Sequence, residues 1–454
     1  MKKAGMKKGK NKEFSTPYTV TNAVTKGNII TKLSLLIMGL GNIAHKQIGK
    51  GIMFLAVEAA YIWYMIQSGI YNLSMLPSLG WREQEKVWNE KKSIYEYTAG
   101  DQSSLILLYG VATVYITAMF IIVWRESVKS SYKSEVLAKS GKHLNNFKED
   151  CKSLLDQNLY KLLLAAPVMG ILIFTILPLI YNITMAFTNY SKVNDHLVLF
   201  DWVGLANFKK ILNFGDSIGK QFYSVLGWTL IWAIVATALN YILGMILAII
   251  INRKETKGKA FWRFCFVLSI AVPQFVSLLI MRTMLQPTGI VNTLLLKYGL
   301  IDTALPFFSN ATWARVTVIV INLWVGIPYT LLQVTGILQN IPGELYEAAK
   351  IDGATIIQQI RNVELPALKP VIVIQFILSA GNIMSIGFEK VYAMQTDLNK
   401  ITSDIIPTYV YRLGLEMGDY GYSTAVGLFN SIVNLILLVA VNYVVSKLNE
   451  GEGL

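Results

Sequence analysis

Stretch after stretch of this chain is apolar for the length of a bilayer crossing. An α-helix needs about 20 mostly apolar residues to span the hydrocarbon core, and such runs fall at about 48–70, 104–124, 160–187, 224–251, 264–286, 314–337, 370–390 and 425–446. None shows the ten-residue alternation of an outer-membrane barrel, so an all-α polytopic membrane protein with eight spans is expected. Composition agrees: 54% of the 454 residues are hydrophobic and 15% charged, against about 25% charged in ordinary soluble domains. The net charge of +13 then reads as membrane orientation rather than as a nucleic-acid footprint. Lys and Arg total 24 in the loops at 1–32, 125–159, 252–263, 338–369 and 447–454, and 11 in the opposing loops. By the positive-inside rule both termini face the cytoplasm.

The piece at 30–45 is too short and too interrupted by Gly39, Gly41 and His45 to cross, so an interfacial helix is expected there, with a re-entrant hairpin as the alternative. The expected organisation is a basic cytoplasmic tail with that helix over 1–47 and two appended spans over 48–124. A cytoplasmic linker follows over 125–159, then a six-span core over 160–446 with a polar loop at 338–369, and a cytoplasmic tail over 447–454. Pro167, Pro178, Pro273 and Pro328 lie inside spans, where each removes a backbone hydrogen bond and invites a kink. Ionisable residues in or beside spans, Glu58, Arg282, Glu389 and Lys390, are functional candidates by default. Cys151 and Cys265 suggest neither a disulfide nor a metal site, and His45, His143 and His196 have no ligand spacing. No metal site is expected on this chain, and no catalytic residues.

The polar interruption EAAKIDGATIIQQIRNVELP (347–366) carries the most information. Pro342 can start a helix, Glu344 and Glu347 sit in its early turns where the dipole favours anions, and Gly353 permits a sharp turn. Ile356, Ile357, Ile360 and Val363 then recur at helical spacing until Pro366. Two short helices joined at a glycine, on the cytoplasmic side, are expected. The pattern Glu347-Ala348-Ala349-x3-Gly353-x9-Val363-x-Leu365-Pro366 resembles the EAA motif of ABC-importer permeases, with Val in place of Ile; chance gives such a match on the order of once in 10⁷ starting points. The resemblance implies a coupling element that docks on a cytoplasmic ATPase, through Glu347, Ala348, Ala349, Asp352, Gly353, Leu365 and Pro366. The chain has no G-x-x-x-x-G-K-[ST] phosphate loop, so ATP and Mg are expected on that partner and no cofactor here.

From about 160 onward the chain looks like carbohydrate-importer permeases of the maltose-transporter type, and GLGNIAHKQIGKGIMF resembles the start of Gram-positive maltodextrin and galactan-oligosaccharide permeases. ILSAGNIMSIGFEKVYAMQTDLNKITSDIIPTYVYRLGL looks more like permeases for plant-polysaccharide fragments. The loop at 188–222 is short where the enterobacterial maltose permease carries a folded domain. NLWVGIPY (322–329) is similar to a sugar-contacting segment, which implies a path lined by Trp324, Val325, Gly326 and Tyr329. In the next span Gly381, Asn382 and Ser385 stand at the positions of a Phe-Asn-x-x-Asn pattern. The implied partners are a second permease, an ATPase homodimer, an extracellular solute-binding lipoprotein and an oligosaccharide, at the plasma membrane of a Gram-positive bacterium. An ion-coupled secondary sugar transporter is the alternative; it would need midplane carboxylates, and the core spans offer few.

Overall fold

The computed structural model describes residues 18–448 except 84, 91, 98, 99, 193–197, 383–386 and 398. They divide into two units, Met1–Tyr190 with Asp195–Trp202, and Ser191–Asn194 with Val203–Leu454.

The first unit holds three long apolar helices, α1 (Ile48–Met75), α2 (Ser103–Lys139) and α3 (Leu159–Met185), and a hairpin that pairs Lys86–Asn89 with Ile94–Tyr97. The third span, expected to open the six-span core, groups here with the first two. In α3 the turn at Leu172–Ile176 widens, so that the Leu177 N–H bonds the Leu172 carbonyl five residues back. The next residue is Pro178, which has no N–H to continue the normal ladder, and Tyr115 Oη also donates to the Leu172 carbonyl at 3.1 Å.

Residues 30–45 depart from expectation. Instead of one interfacial helix they form two short ones, Ile29–Leu33 and Leu40–Ala44, joined through Gly39 at φ +79°. A Cβ at Gly39 would lie 2.3 Å from the Gly51 carbonyl oxygen, so only glycine fits. The turn is held by a polar stripe on the end of α2 at helical spacing. Ser127 Oγ accepts from the Gly39 N–H at 3.0 Å, Asn42 Nδ2 donates to Ser130 at 2.9 Å, and Ser134 donates to Gln47 at 2.7 Å. Glu135 accepts from the Asn28 N–H and from Thr31 Oγ1. Glu58 has a structural explanation too: its carboxylate accepts from the Met38 N–H at 2.8 Å.

The second unit contains α4 (Ser217–Asn252), α5 (Lys259–Ala271), α6 (Gln274–Met284), α7 (Ala311–Leu338), α8 (Gly343–Ile351), α9 (Leu365–Asn382), α10 (Phe388–Met394) and α11 (Tyr420–Leu448). Its backbone is the pair α4–α7. Trp228 stacks on Arg315, a Cβ on Gly326 would fall 2.5 Å from the Asn240 amide, a Cβ on Gly244 would fall 2.6 Å from Thr330, and Asn252 donates to Thr335. Partner numbers rise together along both helices, so the two run parallel and in register.

Two parallel helices need a return crossing between them. The apolar segment that can supply it is α5–α6, which breaks by 91° at Val272-Pro273. The span expected at 264–286, with a kink invited at Pro273, is broken there by a right angle; Pro328, by contrast, sits inside an unbroken α7. Among the described residues six helices are long and apolar enough to cross, and α5–α6 makes a seventh. The seventh expected span, 370–390, is not one continuous helix: α9 ends at Asn382, and α10 starts after Gly387 at φ +98°.

At the far end of α4–α7 from the polar loop, Trp228, Trp232, Leu278, Ile321, Val391 and Ile405 form a buried core. The chain over 395–412 is tied onto it. Arg315 Nε donates to the Thr402 carbonyl at 3.0 Å, Trp228 Nε1 to the Ser403 carbonyl, and the Ile406 N–H to Thr229 Oγ1. Inside this segment the fully buried Asp404 accepts from Arg412 Nε at 2.9 Å, Gln395 Nε2 at 2.8 Å and Thr408 Oγ1 at 3.0 Å. Removing one partner of a buried pair leaves a bare charge, costing about 3–5 kcal/mol. Arg412→Met is expected to lower the melting temperature of the purified protein sharply, with most of the loss recovered by adding Asp404→Asn; equal melting of both variants would show that the pair carries no such burden.

Candidate coupling loop and sugar path

The polar loop begins where α7 ends. Pro342 precedes α8, and Glu344 occupies the first turn, where an anion meets the positive end of the helix dipole. At the other end the Gly353 N–H bonds the Lys350 carbonyl at 3.1 Å and the Ala354 N–H bonds the Ala349 carbonyl at 2.9 Å. That is a Schellman closure, which needs a left-handed residue at its centre, and Gly353 supplies it at φ +71°. No atom lies within 4 Å of a Cβ built there, so glycine is required by backbone conformation and not by crowding.

Thr355 then starts the next helix with a capping box, its N–H donating to Gln358 Oε1 at 2.7 Å while Gln358 N–H returns to Thr355 Oγ1. After Ile356–Gln359 the turn widens over Ile360–Glu364, and the Leu365 N–H bonds the Ile360 carbonyl. Pro366 follows at once, as Pro178 follows the wide turn in α3. The Leu365-Pro366 pair thus lets the loop run into α9 without a chain break, a local reason for that part of the motif.

Glu347, Ala348, Asp352 and Gly353 are exposed, Ala349 and Leu365 partly so, and Pro366 is exposed. Two flanking residues not picked out as contacts are more telling. Ile351 is 86% exposed and Ile357 77%, on either side of the Gly353 turn. The helical period placed Ile357 with Ile360 and Val363, but Ile357 stays outside while those two turn inward. The available signal was an apolar residue beside the motif glycine on a loop otherwise polar.

Between this loop and residues 252–263 lies a cavity of about 510 Å³, whose lining includes Arg253, Lys259, Arg263, Lys350, Tyr346 and Glu364. Glu364 is 8% exposed, accepts from Tyr346 Oη at 3.4 Å, and its second oxygen has no partner. Burial raises its pKa above the ordinary carboxylate range, against the opposing pull of Tyr346 and Arg253. Burial and the Glu364 charge push the Tyr346 hydroxyl up to about 12. As pH rises past the ordinary carboxylate value, the unfolded chain releases this proton before the folded one does, so the group's contribution to stability falls until the folded value is passed. Glu364→Gln is expected to flatten the melting temperature over that window and to be no less stable above it; an unchanged slope would clear Glu364 of the effect.

The expected sugar segment does not present a single surface. Trp324 and Tyr329 are both exposed, 42% and 52%, yet five residues apart on a helix they point about 140° from each other. Val325 packs on the buried core. Gly326 admits the Asn240 side chain and so serves the close approach of α4 to α7. Asn322 is 1% exposed and accepts from Lys390 Nζ at 2.6 Å. Gly381 and Asn382 close α9, and Ser385 lies outside the described residues.

Long apolar helices tied in parallel, with a rigid polar loop between two of them, define a membrane-embedded transport subunit. Residues 240–450 match the family model described as binding-protein-dependent transport system inner membrane component. The galactooligosaccharides transport system permease protein GanP of Bacillus subtilis (strain 168) is 30% identical over 89% of this chain and 94% of its own length. The maltodextrin transport system permease protein MdxF of the same organism is 31% identical over 92% of this chain and 94% of its own. Among solved structures, a chain of a bacterial alginate ABC transporter in complex with alginate pentasaccharide-bound periplasmic protein has a TM-score of 0.57 and 26% identity, covering 67% of this chain and 99% of that one. This chain belongs to the binding-protein-dependent transport system inner membrane component family, and it is an ABC sugar-transport permease.

Proposed function

We propose that the chain forms one membrane half of an ATP-driven importer for oligosaccharides, paired with a second permease and docked on a cytoplasmic ATPase homodimer. ATP and Mg act on that separate ATPase, and a solute-binding lipoprotein delivers the sugar from outside, with both termini of this chain in the cytoplasm of a Gram-positive bacterium. The names of GanP and MdxF support a galacto- or malto-oligosaccharide cargo, or a related fragment of plant polysaccharide. The periplasmic protein bound to the alginate transporter supports the binding-protein partner.

One observation carries the coupling role: a loop rigidified by a Schellman turn and a capping box that still leaves Ile351 and Ile357 in solvent. Exposed isoleucines beside a left-handed glycine are costly on a free surface and useful in a protein groove. Glu347 and Asp352 frame them with charge, which fixes orientation more than affinity. Closure of the ATPase around ATP then shifts the permease between inward- and outward-open states, by its differential affinity for the two.

Gly353→Val forces a branched residue into a left-handed conformation, a strain of about 1–3 kcal/mol that the open surroundings do not aggravate. Sugar-stimulated ATP hydrolysis and uptake in vesicles holding the whole complex are expected to fall at least tenfold with the permease still folded; full uptake would refute coupling through this turn. Tyr329→Ala is expected to lower uptake severalfold while leaving ATPase assembly, checked by co-purification, unchanged.

A further inference from the structure

The proposed function leaves one charged group without a role. Lys390, on α10, is partly buried, and its ammonium meets the neutral Asn322 oxygen at 2.6 Å. No described carboxylate forms an ion pair with it. Glu389, the neighbouring residue, is exposed on the adjacent face of the short helix and contributes only at longer range. An ammonium carries three donors and no acceptor, so this one has donor capacity to spare. Asn322 is also incomplete: it is 1% exposed, and its amide nitrogen has no hydrogen-bond partner.

Cation and amide thus present unfilled donors side by side, a set that suits an anionic oxygen acceptor and lacks one. An uncompensated cation within a membrane protein is costly and marks a ligand path or a relay. Its place in the fold narrows the choice. Along the α4–α7 register, Asn322 lies between the Arg315 end and the Thr335 end, inside the helical body and away from either loop. It shares a stripe of α7 with Gly326 and the half-exposed Tyr329, which sits seven residues on, about 10 Å along the axis. Asn240 fills the Gly326 hollow between them, so Tyr329 and the paired donors are two separate contact points, an aromatic face and a donor pair. A pyranose ring stacks on the first; a carboxylate accepts two charge-assisted bonds from the second.

We propose that Lys390 and Asn322 form a carboxylate-reading subsite, and that the oligosaccharide carried is uronate-bearing. The proposal rests on the oligosaccharide reading above and adds its chemical class. Lys390 Nζ and Asn322 Nδ2 hold the two carboxylate oxygens, while Tyr329 supports a ring further along the chain. A neutral oligosaccharide leaves the ammonium uncompensated and binds this end of the path more weakly.

The test uses proteoliposomes containing the full complex and its binding protein, with oligogalacturonates and oligoalginates of two to five residues set against neutral galacto- and malto-oligosaccharides of the same lengths. Uronate oligomers are expected to be taken up, and Lys390→Met is expected to raise their KM more than tenfold with neutral uptake changed less than twofold. Lys390→Arg is expected to retain most uronate uptake. Equal losses for acidic and neutral sugars in Lys390→Met would make Lys390 a structural strut and overturn the proposal, as would neutral uptake by the unaltered complex with no uronate uptake. Should the Met variant fail to assemble, competition in the unaltered complex decides: uronate oligomers must inhibit neutral uptake more strongly than neutral oligomers of equal length, and the reverse order refutes the subsite. No uptake of any oligosaccharide would instead bring down the importer reading itself.

Discussion

The close parallel seating of α4 against α7 is what the second unit is built on. Lipid offers helices no hydrophobic reason to associate, so small residues that let backbones approach do the work that burial does in water. Gly244 receives Thr330 and Gly326 receives Asn240, one turn apart and in the same direction, so each helix supplies the hollow that the other fills. Once the two run parallel, the chain between them has to return across the bilayer, and the broken α5–α6 is that return. The same pair then provides two working ends: one where residues 395–412 are tied down through Arg315, Trp228 and Thr229, and one from which the polar loop hangs.

Seen from the loop, the architecture separates two tasks. Turn and cap chemistry set the backbone at Gly353 and Thr355, while further along Glu364 is buried against Tyr346 and Ile360 packs on the neighbouring apolar core. The proposed sugar path is organised differently. Its polar groups come from three helices: Asn240 of α4 fills the Gly326 hollow of α7, and Lys390 of α10 meets Asn322 of α7. The turns of the loop are encoded locally, whereas the meeting of Asn322 with Lys390 is a property of assembly.

That difference explains what could be read in advance. Span positions followed from hydropathy, and the Gly353 turn followed from a residue type that alone tolerates its backbone angle. The Leu365-Pro366 step was recognised from resemblance and acquired its physical reason, the wide turn before a proline, only in three dimensions. Long-range partners left no trace in the sequence. Glu58 caps a turn twenty residues away, Gly326 answers to a side chain on another helix, and Lys390 finds Asn322 at a sequence separation of 68. The angle at Pro273 was equally hidden, because a proline announces a break and not its size. Near the N-terminus Gly39 was legible as an interruption, but the turn it makes between two short helices was not, because that turn is dictated by contact with Gly51.

The wide turn at 360–364 has a mechanical meaning. Because it absorbs Pro366 without interrupting the helix, residues 356–382 form one continuous rod about 40 Å long. Its near end is the loop and its far end is Asn382. A rod with a proline break, such as α5–α6, would dissipate a push at its joint. This one has no such joint, so under the proposed coupling a rotation imposed on the loop would be carried along it as far as Asn382.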